Sequence, residues 1–375
     1  MVEEIVTALS RIRWLFVIAR NSTFTYKGQA IDVKQIGREL GVRYVLEGSV
    51  RKAGQRVRIT GQLIDTASGA HIWANHFDGA LDDIFELQDQ VASSVVGAIE
   101  PKLQQSEIER ATRKVTASLD AYDLYLRAVA QFHSYTEEGM REAIGLSKRA
   151  LAIDQSYAPA AALISLCRMH QRQQGWEPIS ETDVAEAVRF ARQSIEEGKD
   201  DPDTLWMAGI TLWFLAGEIN TAESVVDRAL ALNPNSAHAW NARGWVSSFQ
   251  NQPNRGIEYL QHAMRLSPFD PLSWLFTSGL AVSYLIARRF EEANEWADRS
   301  VLDQPRFGMA LRMKAVLSAY LNRLEEAREW LRRALELQPD LTVATWKTLA
   351  GAVAISPEVL DLYLGGLRKA GLPEE

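Results

Sequence analysis

The chain has 375 residues, of which 47% are hydrophobic and 24% charged, a composition typical of a soluble globular protein long enough for two domains. The formal net charge of −7 argues against a general nucleic-acid-binding protein, because such proteins normally carry a basic excess. The single cysteine, Cys167, excludes an internal disulfide and a cysteine-based zinc site.

The N-terminal segment predicts a small α/β domain over residues 1–110. Helical spacing of apolar residues predicts a helix over 2–12, and the apolar run Trp14–Ala19 is interpreted as a buried strand. Asp32 is expected to cap a short helix that ends at Gly41. Because the run Trp14–Ala19 has no earlier partner strand, we expect a mixed sheet that lacks its first strand, in an N-terminally incomplete domain.

A predicted hairpin follows in the same domain. The segments 44–50 and 56–64 flank Ala53-Gly54, a pair typical of a hairpin turn in which glycine supplies the positive φ. Apolar and polar residues alternate in the second segment, which predicts one buried face and one solvated face. A third strand is predicted at 70–77, and a long amphipathic helix from Ile84 to about residue 109.

The hairpin also carries the only concentrated basic patch of the sequence, formed by Arg51, Lys52, Arg56 and Arg58. These side chains are candidates for contact with phosphates or with an acidic partner. A solvated strand face would carry the same charges, because they protect a hairpin from edge-to-edge aggregation. The sequence alone leaves both interpretations open.

Repeats occupy the remainder of the chain. Pro234, Pro268, Pro305 and Pro339 are 34, 37 and 34 residues apart, and each ends a phrase that begins with alanine or serine five residues earlier. The small residue allows close helix packing, and the proline stops the helix. Recurrence near 34 residues is the signature of tetratricopeptide (TPR) repeats. We therefore predict an all-α TPR superhelical solenoid of about six repeats over 118–340, with capping helices over 341–375.

Four stretches of the N-terminal segment are similar to a known bacterial module. They are Ile18–Gly28, Gly41–Arg51, Gly69–Ala74 and Ile84–Val91. They resemble the amino-terminal TolB-like domain, which in bacteria lies between an effector domain and TPR repeats. The resemblance implies an effector that is either a class III adenylate/guanylate cyclase domain or a winged-helix DNA-binding domain. No stretch of this chain corresponds to a cyclase domain, so cyclase activity would belong to sequence outside it.

Helical solenoids usually bind partners and rarely catalyse. We therefore expect a non-catalytic scaffold or regulatory module that binds a protein or peptide in the groove lined by the first helix of each repeat. Asn241, Arg243 and Lys314 are predicted to be exposed polar residues of that groove. Trp176, which falls in a loop, is either a contact residue or a lid over the neighbouring repeat.

No catalytic residue, cofactor or metal is predicted, because the sequence has no phosphate-binding loop, nucleophile elbow or zinc-protease motif. The alternatives for function are the regulatory part of an adenylate/guanylate cyclase and the sensory half of a winged-helix transcription regulator. No apolar run approaches the roughly 18 residues of a membrane span, and the start lacks an export signal. The expected location is cytoplasmic, or periplasmic if the full-length protein has an upstream span.

Overall fold

The computed structural model describes residues 2–18, 26, 31–80, 84–113, 120–176, 179–268, 270–353 and 355–375. These residues form a small three-stranded antiparallel sheet near the N-terminus, followed by a long TPR-like helical solenoid. The chain divides into two compact units, Met1–Ser106 with Leu266–Phe269, and Glu107–Arg265 with Asp270–Glu375. We call them the sheet unit and the helical unit and describe each by itself.

The described residues of the sheet unit form two short helices, three strands and most of a long helix. In chain order these are α1 (Val2–Leu9), α2 (Val33–Leu40), β1 (Tyr44–Ala53), β2 (Arg56–Asp65), β3 (His71–Ala80) and α3 (Ile84–Arg113). The predicted cap of α2 is confirmed, because the Asp32 side chain accepts a hydrogen bond from the backbone N–H of Lys34. Gly41, with φ of 66°, ends the helix in the left-handed conformation that glycine adopts without strain.

The strands pair in the order β1-β2-β3, and both pairs are antiparallel. The predicted hairpin is therefore confirmed, with Gly54 at φ of 60° in its turn. The prediction of a mixed sheet is wrong for the part of the chain that the structure describes. One face of the sheet packs against α1 and α3, and the core consists of Ala8, Leu9, Ile12, Val57, Ile59, Leu63, Val91, Val95, Val96, Ile99 and Leu103.

The predicted strand over Trp14–Ala19 does not form in residues 14–18, and Ala19 lies outside the described residues. The backbone instead turns after α1, where the N–H of Leu15 donates to the carbonyl of Ile12 at 3.0 Å. Trp14, Leu15 and Val17 pack against the core of the sheet unit, whereas Phe16 is 85% exposed. The run is apolar because its side chains cover that core, and this requires no strand pairing.

The described residues of the helical unit form seven antiparallel helix pairs after the end of α3. They are α4 (Ala121–Ser134) with α5 (Glu137–Ile153), α6 (Ala158–Gln174) with α7 (Glu181–Glu197), α8 (Pro202–Ala216) with α9 (Ile219–Leu232), α10 (Ala237–Phe249) with α11 (Pro253–Leu266), α12 (Ser273–Ile286) with α13 (Phe290–Asp303), α14 (Gly308–Tyr320) with α15 (Leu324–Leu337), and α16 (Val343–Ala352) with α17 (Pro357–Ala370). Of the three extra residues before Pro305, two lie in the connection from α11 to α12 and one lies in α12, which has 14 residues where α10 has 13.

One backbone device recurs where the first helix of a pair turns into the second. A residue with positive φ occupies this turn in the first six pairs: Tyr135, Gly175, Gly217, Asn251, Arg288 and Asn322. Glycine and asparagine adopt this conformation readily, and the structure imposes it on Tyr135 and Arg288 as well. The same turn in successive pairs gives them a common orientation, so equivalent repeat positions lie in equivalent places along the solenoid.

Candidate interaction surfaces of the helical unit

The first helices of the pairs form the inner surface of the helical unit, and their side chains meet across it. The ring of Tyr135, at the end of α4, lies 4.3 Å from the ring of Trp274 on α12. Phe307, before α14, lies 4.6 Å from Trp274 and 5.8 Å from Tyr135. Repeats one, five and six therefore share an aromatic cluster, although a simple solenoid contacts only its nearest neighbours.

Hydrogen bonds reinforce this closure of the inner surface. The Tyr135 hydroxyl accepts from Nε2 of Gln174 at 3.1 Å and lies 3.0 Å from Nδ1 of His170. Gln174 Oε1 accepts the backbone N–H of Gly308 at 3.0 Å, which links the second repeat to the sixth. Burial raises the pKa of Tyr135, so its hydroxyl keeps its proton; because its oxygen accepts from Gln174, we assign the O–H as the donor to His170 Nδ1. The buried polar groups of this network satisfy one another.

His170 makes the helical unit sensitive to acid. Burial lowers its pKa to about 4 from the usual 6.5, because the folded state favours the neutral ring that accepts from Tyr135. The stability that the neutral ring supports is present above pH 6.5 and is lost as the pH falls toward 4. By linkage, the loss at pH 5 is about 2 kcal/mol.

We expect His170→Gln, which keeps an acceptor, to be less stable at pH 7.5 and to lose about 2 kcal/mol less than the parent chain between pH 7.5 and 5. Urea unfolding followed by circular dichroism at both pH values measures this difference. His76→Gln, at an exposed position of β3, is the control substitution. An identical loss in the parent chain and in His170→Gln would contradict the assignment.

Two of the three predicted groove residues are cations that form ion pairs with carboxylates of the same chain. Arg243 is 7% exposed and Lys314 is 2% exposed, so the prediction that they are exposed is wrong. Arg243 pairs with Glu223 at 2.5 Å and with Asp227 at 2.6 Å, both on α9 of the preceding repeat. These bonds hold consecutive repeats together and leave the guanidinium little capacity for a ligand.

Lys314 repeats the same arrangement two repeats later. Its Nζ donates to Asn294 Oδ1 at 2.6 Å and pairs with Asp298 at 2.6 Å, both on α13 of the preceding repeat. Arg243 and Lys314 occupy equivalent positions, and their partners also occupy equivalent positions, four residues apart on the preceding second helix. Leu280 takes the same position in the intervening repeat, so an apolar contact can replace the ion pair there.

The remaining predicted groove and loop residues are less exposed than expected. Asn241 is 7% exposed, and its Oδ1 has no hydrogen-bond partner. Trp176 is half-buried, and its ring contacts the ring of Tyr135 at a centroid distance of 5.5 Å. Of the two interpretations of Trp176, contact residue or lid, this position agrees with the lid, because the indole packs against the aromatic cluster.

The predicted basic patch does not form a single cluster. Arg51 and Arg58 are opposite each other in the β1–β2 register, and Arg56, two residues from Arg58, is on the same face of the sheet. Lys52 pairs with Val57 in the register and therefore belongs to the other face. Arg58 also makes a two-bond contact with Asp78 of β3, at 2.7 and 2.8 Å, which neutralises part of the patch.

The second helices carry a row of aromatic residues that was not predicted from the sequence. Tyr259, Trp296 and Trp330 are half-buried and occupy equivalent positions of three consecutive repeats, on α11, α13 and α15. Each has a cation near one ring face: Arg243 near Tyr259 at 5.6 Å, Arg299 near Trp296 at 4.4 Å, and Arg333 near Trp330 at 4.5 Å. The spacing of 37 and 34 residues, which matches the proline spacing, was the available signal.

Residues with metal-binding or catalytic chemistry are not clustered in the described part of the chain. No group of three or more histidine, cysteine, aspartate or glutamate residues there could hold a metal ion. Cys167 is buried and unpaired, and burial raises the pKa of its thiol, which suppresses the reactive thiolate. None of the helices described is both long enough and apolar enough to cross a membrane.

Comparisons with known proteins identify the repeats. The tetratricopeptide repeat family model matches residues 237–270 and 313–341. The chain is 38% identical over 213 residues to a protein of Rhizobium meliloti (strain 1021) named putative adenylate cyclase 3, in a match that covers 56% of this chain and 36% of the relative. This chain thus matches only about a third of the length of that curated relative. The two matches cover the fourth helix pair and most of the sixth.

Solved structures with a similar helical arrangement include the APC/C hetero-tetramer Cut9-Hcn1, with 14% identity and a TM-score of 0.49 over 72% of this chain and 49% of that chain. A tetratricopeptide repeat protein from Parabacteroides merdae has 13% identity and a TM-score of 0.43 over 76% of this chain and 95% of its own. The TolB-like resemblance of the sheet unit stays a prediction.

Proposed function

We propose that the helical unit is a non-catalytic protein-interaction module and that the aromatic row of Tyr259, Trp296 and Trp330 is its contact surface. The observation that carries the proposal is the recurrence of a half-buried aromatic residue beside a cation in three consecutive repeats. Aromatic and arginine side chains dominate the energetics of protein interfaces. The partner would be a folded protein that presents apolar side chains between charges of both signs.

The inner surface is less suited to an extended peptide than the sequence predicts. Tyr135, Trp274 and Phe307 fill part of it, and Arg243 and Lys314 already bind carboxylates of their own chain. Of the three predicted groove residues, Asn241 keeps an acceptor without a partner. Binding of a peptide at Asn241 would be weakened by Asn241→Ala, whereas binding at the aromatic row would be weakened by Trp296→Ala and Tyr259→Ala.

A second proposal concerns the whole protein from which this chain comes. The 38% identity to a protein named putative adenylate cyclase 3 favours a role as a regulatory part of a cytoplasmic adenylate or guanylate cyclase. The catalytic domain would then be a partner in cis, encoded outside the residues that match. The chain itself would contribute recognition rather than chemistry.

Photo-crosslinking in the native cells tests both proposals. A photoreactive phenylalanine analogue in place of Trp296 should crosslink to the partner. The intact mass of the protein that carries the analogue, measured separately, shows whether it is heavier than 42.0 kDa. With the identified partner purified, Trp296→Ala and Tyr259→Ala should each weaken binding by about 10- to 100-fold, as hot-spot residues do.

Arg332→Ala is the matched control, because Arg332 is an exposed residue on the same helix as Trp330 and pairs with Glu329 of that helix. It should change the affinity by less than about twofold, as surface ion pairs contribute little. Loss of binding in Asn241→Ala, with the row variants unaffected, would contradict the proposed surface. An intact mass of 42.0 kDa for the protein that carries the analogue would contradict the cyclase role.

A further inference from the structure

A cavity of about 30 Å³ lies inside the helical unit, among α6, α8, α10, α14 and the segment around α16. Its walls are mainly apolar, and its polar lining comes from Arg172, Gln173, Arg312 and Trp346. A volume of this size holds about two water-sized groups. Arg312 is buried in this lining, where a charge is costly unless it is paired, whereas Arg172 is partly exposed.

Arg312 is the central residue of this cavity. It is 2% exposed; Nη1 donates to Gln338 Oε1 at 3.1 Å, and Nη2 lies 3.5 Å from the carbonyl of Gln173. Its Nε has no hydrogen-bond partner, and no ion pair to Arg312 occurs among the described residues. The buried cations Arg243 and Lys314 differ, because each is paired with carboxylates.

Two further donors near Arg312 lack acceptors. Trp346 is only 9% exposed, and its Nε1–H makes no hydrogen bond of normal geometry. The Tyr363 ring centroid lies 5.0 Å from that of Trp346, and its buried hydroxyl, which faces Arg312 and Trp346, has no hydrogen bond of normal geometry. Unpaired buried donors cost free energy in a folded protein, so those of Arg312 and Trp346, which both line the cavity, indicate a missing acceptor.

We propose that this cavity binds a small monovalent anion, either a halide or a carboxylate of one or two carbon atoms, through the Arg312 guanidinium and the Trp346 indole N–H. One negative charge would neutralise Arg312 and accept from the unpaired donors, and hydrogen bonds to charged groups are stronger than neutral ones. The apolar walls and small volume exclude large or strongly hydrated anions. The site is independent of the aromatic row and of any partner protein.

Formate titration of the full chain in chloride-free buffer tests the proposal, with gluconate at equal ionic strength as the anion too large for the cavity. The unfolding temperature should rise saturably with formate and not with gluconate. Arg312→Met should abolish the saturable effect, and Trp346→Phe should weaken formate binding about tenfold by removing one charge-assisted hydrogen bond. Arg243→Met removes a different buried arginine and should leave the formate dissociation constant unchanged.

A crystallographic measurement covers the case in which Arg312→Met does not fold. Crystals of the full chain soaked in bromide should show an anomalous peak within about 3.5 Å of Arg312 Nε, a distance expected for a charge-assisted contact. The proposal is overturned if no peak appears there or if formate stabilises all variants equally. Glu177 lies outside the described residues, so Glu177→Gln is tested in parallel. If Glu177→Gln binds formate and the parent chain does not, the proposal is also overturned, because the Glu177 carboxylate would then be the anion that Arg312 binds.

Discussion

Trp213→Ala is expected to lower the free energy of unfolding of the helical unit by about 3–5 kcal/mol, the usual cost of truncating a buried tryptophan. Trp213 is 0% exposed on α8, and its ring packs against Phe249 of α10 at a centroid distance of 5.0 Å. Its Nε1 donates to the carbonyl of Val353 at 2.7 Å, which joins the third helix pair to the seventh. Urea unfolding of the full chain measures the loss.

The hydrogen bond from Trp213 to the Val353 carbonyl joins residues 140 positions apart in the sequence, so its own contribution can be tested by removing only the donor. Trp213→Phe keeps most of the ring but removes the donor, and should cost about 1–2 kcal/mol. If the bond couples distant repeats, amide hydrogen exchange in α16 should become faster in Trp213→Phe. Trp206→Phe is the control, because the Trp206 indole bonds only to Asp203 of its own helix. Equal exchange in α16 for both variants would show that the bond does not couple the two pairs.

Local features of this fold could be predicted from the sequence because they depend on neighbouring residues. Asp32 and Gly41 bound α2 as expected, and Gly54 forms the hairpin turn. The prolines near every thirty-fourth residue correctly predicted helix pairs, two of which the tetratricopeptide family model matches, because a capped helix pair is encoded within one repeat. In each case the physical cause lies within a few residues of the signal.

The sequence could not predict features that depend on distant contacts. The run from Trp14 resembles a strand because the pattern shows only that it is buried, not whether a partner strand exists. Arg243 resembles an exposed groove residue until the carboxylates of the preceding repeat are seen to hold it. The contact between Tyr135 and Trp274 depends on the path of several repeats, which no single repeat encodes. The same limitation hid the cavity around Arg312.

The close approach of the two helices in a pair predicts the second large effect. A Cβ atom at Gly244 of α10 would lie 2.6 Å from Leu260 Cγ and 3.1 Å from the backbone carbonyl oxygen of Gly256. Neither atom is the flexible end of a long side chain, so α10 and α11 would have to move apart. We expect Gly244→Ala to cost about 2 kcal/mol and Gly244→Val about 3 kcal/mol or more, as overpacked cores do.

Gly145 supplies the matched control, since it is a helical glycine with an opposite environment. It is exposed on α5, and a Cβ there would meet nothing within 4 Å. Gly145→Ala should therefore stabilise the chain by about 0.5–1 kcal/mol, because alanine restricts the unfolded backbone and favours the helix. Urea unfolding of both variants gives the comparison. If Gly244→Ala were stabilising as well, glycine at this repeat position would not be required for helix packing, and the approach of α10 to α11 would have to be wider than described.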